Sequence, residues 1–119
     1  MFKIVQSVVI CLSLISLGNI SFAQKMQTVE GEVLDMVCFM AHEGKGPKHK
    51  TCAQKCVNEG AAVGLVTSDG KVYLVIENHH KKAAYQQVKK LAAEKVKITG
   101  PIYTKGGVQA IEAESVEKL

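Results

Sequence analysis

Hydrophobic positions divide the chain into short apolar runs separated by polar or glycine-containing turns. Runs rich in β-branched residues flank Ser68-Asp69-Gly70 and Lys105-Gly106-Gly107, a pattern typical of hairpins. Residues 81–94 instead have apolar positions at helical spacing, with lysines and glutamines opposite. The predicted elements are a strand at Thr28–Met40, a short helix at Thr51–Glu59, strands at Val63–Thr67 and Lys71–Glu77, an amphipathic helix at Lys81–Glu94, and strands at Val96–Thr104 and Val108–Glu117.

This order of elements predicts a mainly β fold. Five strands with a helix between the third and the fourth form the order of an OB-fold barrel, here with a short cysteine-bearing helix after the first strand. Closing the sheet removes exposed strand edges, which suits a chain too small for a thick core. An open, twisted antiparallel sheet with one packed helix is the alternative.

The first 23 residues have a different pattern from the rest of the chain. Lys3 supplies a basic start, Ile4–Ile20 is mostly apolar with polar interruptions, and Ser21-Phe22-Ala23 places small residues before a cleavage point. This pattern is typical of a secretory signal peptide. A spanning helix needs roughly 20 strongly apolar residues, so a retained anchor is the weaker alternative. We therefore expect residues 1–23 to be removed and residues 24–119 to form one exported domain, periplasmic or secreted, with no stable membrane anchor.

The charge composition argues against nucleic-acid binding. All 15 basic residues are lysines, against 11 acids, and aromatic residues make up only 5% of the chain. Nucleic-acid readers favour arginine for bidentate contacts to bases and for stacking. The modest positive charge is therefore interpreted as a solvated surface.

The candidate chemistry lies in a group of cysteines and histidines. His49, Cys52 and Cys56 form an H-x2-C-x3-C motif, and residues three or four apart are neighbours on a helix surface. Cys38 ends the predicted first strand, and a ten-residue connection can fold it back over that helix. The predicted site is a Cys3His cluster for a transition metal ion, either Zn(II), which such sets bind structurally, or Cu(I), which prefers sulfur. The role would be structural or metal-handling.

Further donors flank Cys38 in the sequence. Met36 and Met40 lie two residues to either side, and alternation along a strand predicts that both face the same side as Cys38. A thioether would be an additional copper ligand. His42 lies four residues beyond Cys38 and competes with His49 for the imidazole position.

A structural disulfide is the alternative interpretation of the cysteines. Thiols exported to an oxidising compartment usually pair, and Cys38 can reach Cys52 or Cys56 more easily than those two can reach each other along a helix. The protein would then be a disulfide-stapled domain that contacts another envelope protein. The three cysteines of residues 24–119 leave one thiol spare, which favours the metal hypothesis. An enzyme is not expected, and thiol redox activity is a third hypothesis, weakened by the absence of a C-x2-C motif.

Several segments resemble known proteins. Gly31–Cys38, His49-x2-Cys52-Ala53-x2-Cys56 and Asp69-Gly70-Lys71-Val72-Tyr73 resemble a group of small exported bacterial OB-fold-like proteins that carry a Cys…His-x2-Cys-x3-Cys insertion. The run Val96–Glu117 resembles the last hairpin of such proteins, and the C-x3-C spacing resembles copper-binding segments of exported copper chaperones. The resemblance implies an OB-like barrel and export but supplies no activity.

Overall fold

A computed structural model describes residues 24–119. The predicted signal peptide lies outside the described residues. Among those that are described, no helix is long and apolar enough to cross a membrane. The elements in chain order are β1 (Met26–Asp35), α1 (Met36–His42), a 3-10 turn (Pro47–His49), α2 (Lys50–Asn58), β2 (Val63–Val66), β3 (Val72–Glu77), α3 (Lys82–Lys90), β4 (Lys95–Lys105), β5 (Val108–Ala113) and β6 (Ser115–Lys118).

The strands form a closed barrel, which confirms the predicted OB-fold-like architecture. Neighbours follow the order β1-β2-β3-β5-β4, and β4 pairs with β1 to close the sheet. The β3–β5 pairing is parallel, whereas the other pairings are antiparallel. The sixth strand, β6, pairs with residues 96–99 of β4 and was predicted as the end of the last strand. The predicted helices after strand 1 and between strands 3 and 4 are both present.

Strand β4 has three neighbours because residues 96–99, which also pair with β1, pair with β6, and residues 102–105 pair with β5. Residues 95–101 of β4 pair with β1, and the pairing with β5 begins at Ile102. Proline has no N–H for a strand ladder, and Pro101 lies where one ladder ends and the next begins. At Gly100 a side chain would overlap the backbone carbonyl of Glu112, so only glycine permits this close approach.

The barrel has a hydrophobic core of its own, independent of the cysteines. Residues from the strands pack against one face of α2 and one face of α3, and both of these faces consist of alanine and valine. The cluster consists of Val33, Ala53, Val57, Val63, Leu65, Tyr73, Val75, Ala84, Val88, Ala92, Val96, Ile98, Ile111 and Ala113. None of the cysteines among residues 24–119 belongs to it.

The predicted first strand is wrong beyond Asp35. The chain turns into α1 there, because the Asp35 carboxylate accepts hydrogen bonds from the backbone N–H groups of Val37 (2.9 Å) and Cys38 (3.4 Å) and so caps the helix. Cys38 is therefore on a helix rather than at a strand end. The alternation predicted for Met36 and Met40 fails for the same reason: the Met36 sulfur packs on Gly64, and Met40 is 72% exposed.

Candidate metal centre

Three thiols converge on one point between α1 and α2. The sulfur atoms of Cys38, Cys52 and Cys56 all lie within 4.8 Å of one another. A zinc tetrahedron with bonds near 2.3 Å separates its sulfurs by about 3.8 Å. A shift of at most about an ångström therefore brings the three sulfurs to ligand positions. All three are free thiols in the structure.

Helix α2 presents its two thiols because its other side is anchored to the barrel. Ala53 and Val57 are buried in the core, and Cys52 and Cys56 each precede one of them by one residue. One residue corresponds to about 100° around a helix, so the thiols lie beside the buried stripe, toward α1. Lys50, at the start of α2, forms a 2.5 Å ion pair with Glu94. Because Glu94 lies in the segment between α3 and β4, this ion pair holds α2 against that segment.

A second group of donors overlaps the first at Cys38. Asp35, Cys38 and His49 also place one ligand atom each within 4.8 Å of one another. The Cys3His set predicted from the sequence is thus brought together. His49 lies near Cys38, and Cys38 lies near Cys52 and Cys56. His42, at the exposed end of α1, belongs to neither group.

The loop between the two helices is shaped to bring His49 inward. The αL conformation of Glu43 ends α1, and its backbone N–H donates to Phe39. Gly44 then passes so close that an added Cβ would lie 2.9 Å from His49 Nε2. Farther along, the Gly46 N–H donates to the Glu32 carboxylate at 2.6 Å, which ties this loop to β1.

Asp35 is the member of the cluster that sequence reasoning missed. Its side chain is fully buried, with one oxygen engaged in capping α1. The other oxygen, Oδ2, is 3.9 Å from His49 Nε2, and both atoms are buried without a hydrogen-bond partner. Buried polar atoms are nearly always paired, so two adjacent orphans indicate a place where another atom belongs. The available signal was an N-cap residue type directly before the cysteine segment.

The Asp35 carboxylate and the thiols of Cys38 and Cys56 shift one another's pKa values. Burial alone would raise the pKa of Asp35, but the neighbouring Cys38 thiol, the hydrogen bonds from two backbone N–H groups and the neighbouring Cys56 thiol lower it overall. In return, the neighbouring Asp35 carboxylate, burial and the nearby negative charge raise the pKa of Cys38 to about 12. Burial and the contacts with Asp35 and Cys52 also raise the pKa of Cys56. A nucleophilic or redox thiol needs a lowered pKa, which is the opposite of what these two residues have.

Thiol reactivity is expected to follow these environments. In metal-free, reduced protein near pH 8, we expect Cys52 to be alkylated first because it is exposed, and Cys38 to react slowly because its raised pKa leaves little thiolate. Asp35→Asn removes the main cause of that shift and should speed alkylation of Cys38 several-fold. Peptide mapping by mass spectrometry over time measures each site. A Cys38 that reacts as fast as Cys52 in the unmodified sequence contradicts this account.

Comparison with known proteins supplies no further assignment. No family model, curated protein or solved structure matches the chain, so the fold and the cluster geometry are what bear on its function.

Proposed function

We propose that the protein is an exported module that binds a transition metal ion, Zn(II) or Cu(I), through Cys38, His49, Cys52 and Cys56. The observation that carries this proposal is the convergence of three free thiols within 4.8 Å, with an imidazole beside the shared Cys38. Cys3His is a donor set that zinc accepts, and sulfur donors suit Cu(I). Export rests on the sequence of residues 1–23 and on the resemblance to small exported OB-fold-like proteins.

The placement of the cluster favours a metal-handling role, such as storage or transfer of the ion, over a structural metal site on which folding depends. The barrel core is complete without the cysteines, and Cys52 is exposed, so a bound ion has one donor at the surface. A structural zinc site normally replaces a missing core in a small domain. Here the metal would instead order α1 and its loop, because α1 buries none of its own residues.

Metal content of protein isolated anaerobically from the cell envelope is the direct test. We expect about one zinc or copper ion per chain, as four protein donors hold one ion. His49→Ala should weaken binding by about tenfold or more. Loss of a group that only supports a ligand costs about 10- to 100-fold in metal affinity, and loss of a ligand itself should cost at least as much. His42→Ala is the matched control and should leave binding unchanged, since His42 lies outside both donor groups.

The competing function is a disulfide-stapled envelope domain that contacts another protein through its surface. Intact-mass analysis after alkylation of the non-reduced, metal-stripped protein separates the two. Three alkylated cysteines support the metal module, whereas one alkylated cysteine and metal well below one equivalent overturn it. An affinity unaffected by His49→Ala removes the imidazole from the ligand set.

A further inference from the structure

We propose that Asp35 belongs to the metal site as a carboxylate donor and makes it selective for a borderline divalent ion, of which Zn(II) is the example, over Cu(I). The inference deepens the proposed function and rests on it. It adds a donor outside the Cys3His set, which takes the place of one cysteine because a tetrahedral ion has four ligands, and it chooses between the two candidate ions. Its starting point is the pair of orphaned buried atoms, Asp35 Oδ2 and His49 Nε2.

The separation of these two atoms fits a shared ion better than a direct contact. At 3.9 Å they are too far apart for a hydrogen bond. Oxygen and nitrogen ligands at 2.0–2.2 Å from one tetrahedral zinc ion lie about 3.4 Å apart. A movement of about half an ångström therefore satisfies both orphan atoms with one ion. The same ion would also meet Cys38, whose sulfur lies within 4.8 Å of a carboxylate oxygen of Asp35 and of a ring nitrogen of His49.

The charge at this point calls for a multivalent cation. Asp35 is fully buried, and among residues 24–119 its ion pairing is with His49 rather than with any lysine. A buried carboxylate without a cation is costly. Thiolates at Cys38, Cys52 and Cys56 would add further negative charge when a metal binds. A divalent ion offsets more of this charge than a monovalent one does.

The chemical character of the donors points the same way. Carboxylate oxygen is a hard ligand and suits Zn(II), which binds oxygen, nitrogen and sulfur, whereas Cu(I) selects soft thiolates. The site offers a sulfur side, made by Cys38, Cys52 and Cys56, and an oxygen–nitrogen side, made by Asp35 and His49. Cu(I) would use only the sulfur side, so it would leave the two orphan atoms unpaired.

Asp35→Asn tests this inference without removing the helix cap. Asparagine is as good an N-cap as aspartate, so its oxygen can still accept from the Val37 N–H and α1 should be retained. We expect Asp35→Asn to weaken Zn(II) binding by about tenfold or more and to leave Cu(I) binding unchanged or tighter, because the variant also lowers the pKa of the Cys38 thiol; competition with a chromophoric chelator measures each affinity. Asp69→Asn is the matched control, because Asp69 is an exposed turn residue, and it should change neither affinity.

A second variant and a spectroscopic signature protect the test against a folding defect. Asp35→Ser also retains a capping oxygen and should reproduce the selective loss. Co(II) substituted into the unmodified protein should give a tetrahedral absorption spectrum that shifts in Asp35→Asn while circular dichroism stays the same. No change in either affinity, or an equal loss for both metals, overturns the role of Asp35. A protein that binds neither metal overturns the proposed function itself.

Discussion

Replacing Cys38 with serine is expected to weaken the binding of Zn(II) and Cu(I) by about 100-fold or more, the largest effect of any single donor. The reason is that the Cys38 sulfur belongs to both groups of converging donors, whereas Cys52 and His49 each belong to one. Second-sphere groups alone are worth 10- to 100-fold in metal affinity, and a shared ligand should exceed them. Chelator competition at fixed pH gives the affinities, with Cys52→Ser and His49→Ala expected to lose less.

Met40 provides the control for this prediction. It lies on the same helix as Cys38 but is 72% exposed, so Met40→Ser should leave both affinities unchanged. If Met40→Ser lowered the metal affinity as much as Cys38→Ser does, the Met40 thioether would have to be a ligand after all. Binding by Cys38→Ser within about threefold of the unmodified protein would contradict the shared role of Cys38.

Replacing Ile98 with alanine is expected to lower the free energy of unfolding by about 2–5 kcal/mol. Ile98 is fully buried in β4, where it is in register with Val29 of β1 and Val116 of β6. Truncation there removes apolar contacts and leaves a cavity where the barrel closes. In a domain of this size the midpoint of thermal unfolding should fall by roughly 10–30 °C. Denaturant unfolding of metal-free protein measures the change without contributions from a bound ion.

Ile76 is the matched control, since it undergoes the same chemical change on a strand but is 36% exposed. Ile76→Ala should cost about 1 kcal/mol or less. Equal losses at the two positions would mean that the barrel closure contributes no more to stability than its surface does.

The barrel was predictable because its local signals agree with its global arrangement. The Asp69-Gly70 turn and the Gly106-Gly107 turn, both with glycine at positive φ, form the two predicted hairpin ends, although the second and third strands pair more briefly than expected. Ala84 and Val88 lie on the buried side of α3, as their spacing indicated. Gly31 marks another close approach, because an added Cβ would overlap the Val66 carbonyl.

The strand boundaries were less predictable where side-chain capping overrides β propensity. The run Met36-Val37-Cys38-Phe39-Met40 is rich in residue types that favour strands, yet it forms α1. Its helical state depends on the Asp35 cap and the αL residue Glu43, which are local backbone devices that hydrophobic periodicity does not report. Near the end of the chain, Glu114 donates its N–H to Thr99 and divides one predicted strand into β5 and β6.

The cluster was predictable in its thiols and its imidazole but not in its carboxylate. Cys52 and Cys56 follow from helical spacing alone, and Cys38 reaches them even though the predicted strand end is a helix. The only sequence signal at Asp35 is that of an N-cap residue, and its place in the cluster depends on burial, which is a property of the packed structure.

The donors all lie in one uninterrupted stretch, from Asp35 at the end of β1 to Cys56 in α2, before the adjacent strand β2 begins. Short chain separations mean that a denatured polypeptide can also wrap these groups around an ion at modest entropic cost. Ligands that bind the unfolded chain contribute less stabilisation than their affinity for the native one implies. Under the proposed function, the melting temperature would therefore be a poor gauge of how tightly the folded protein binds its metal ion.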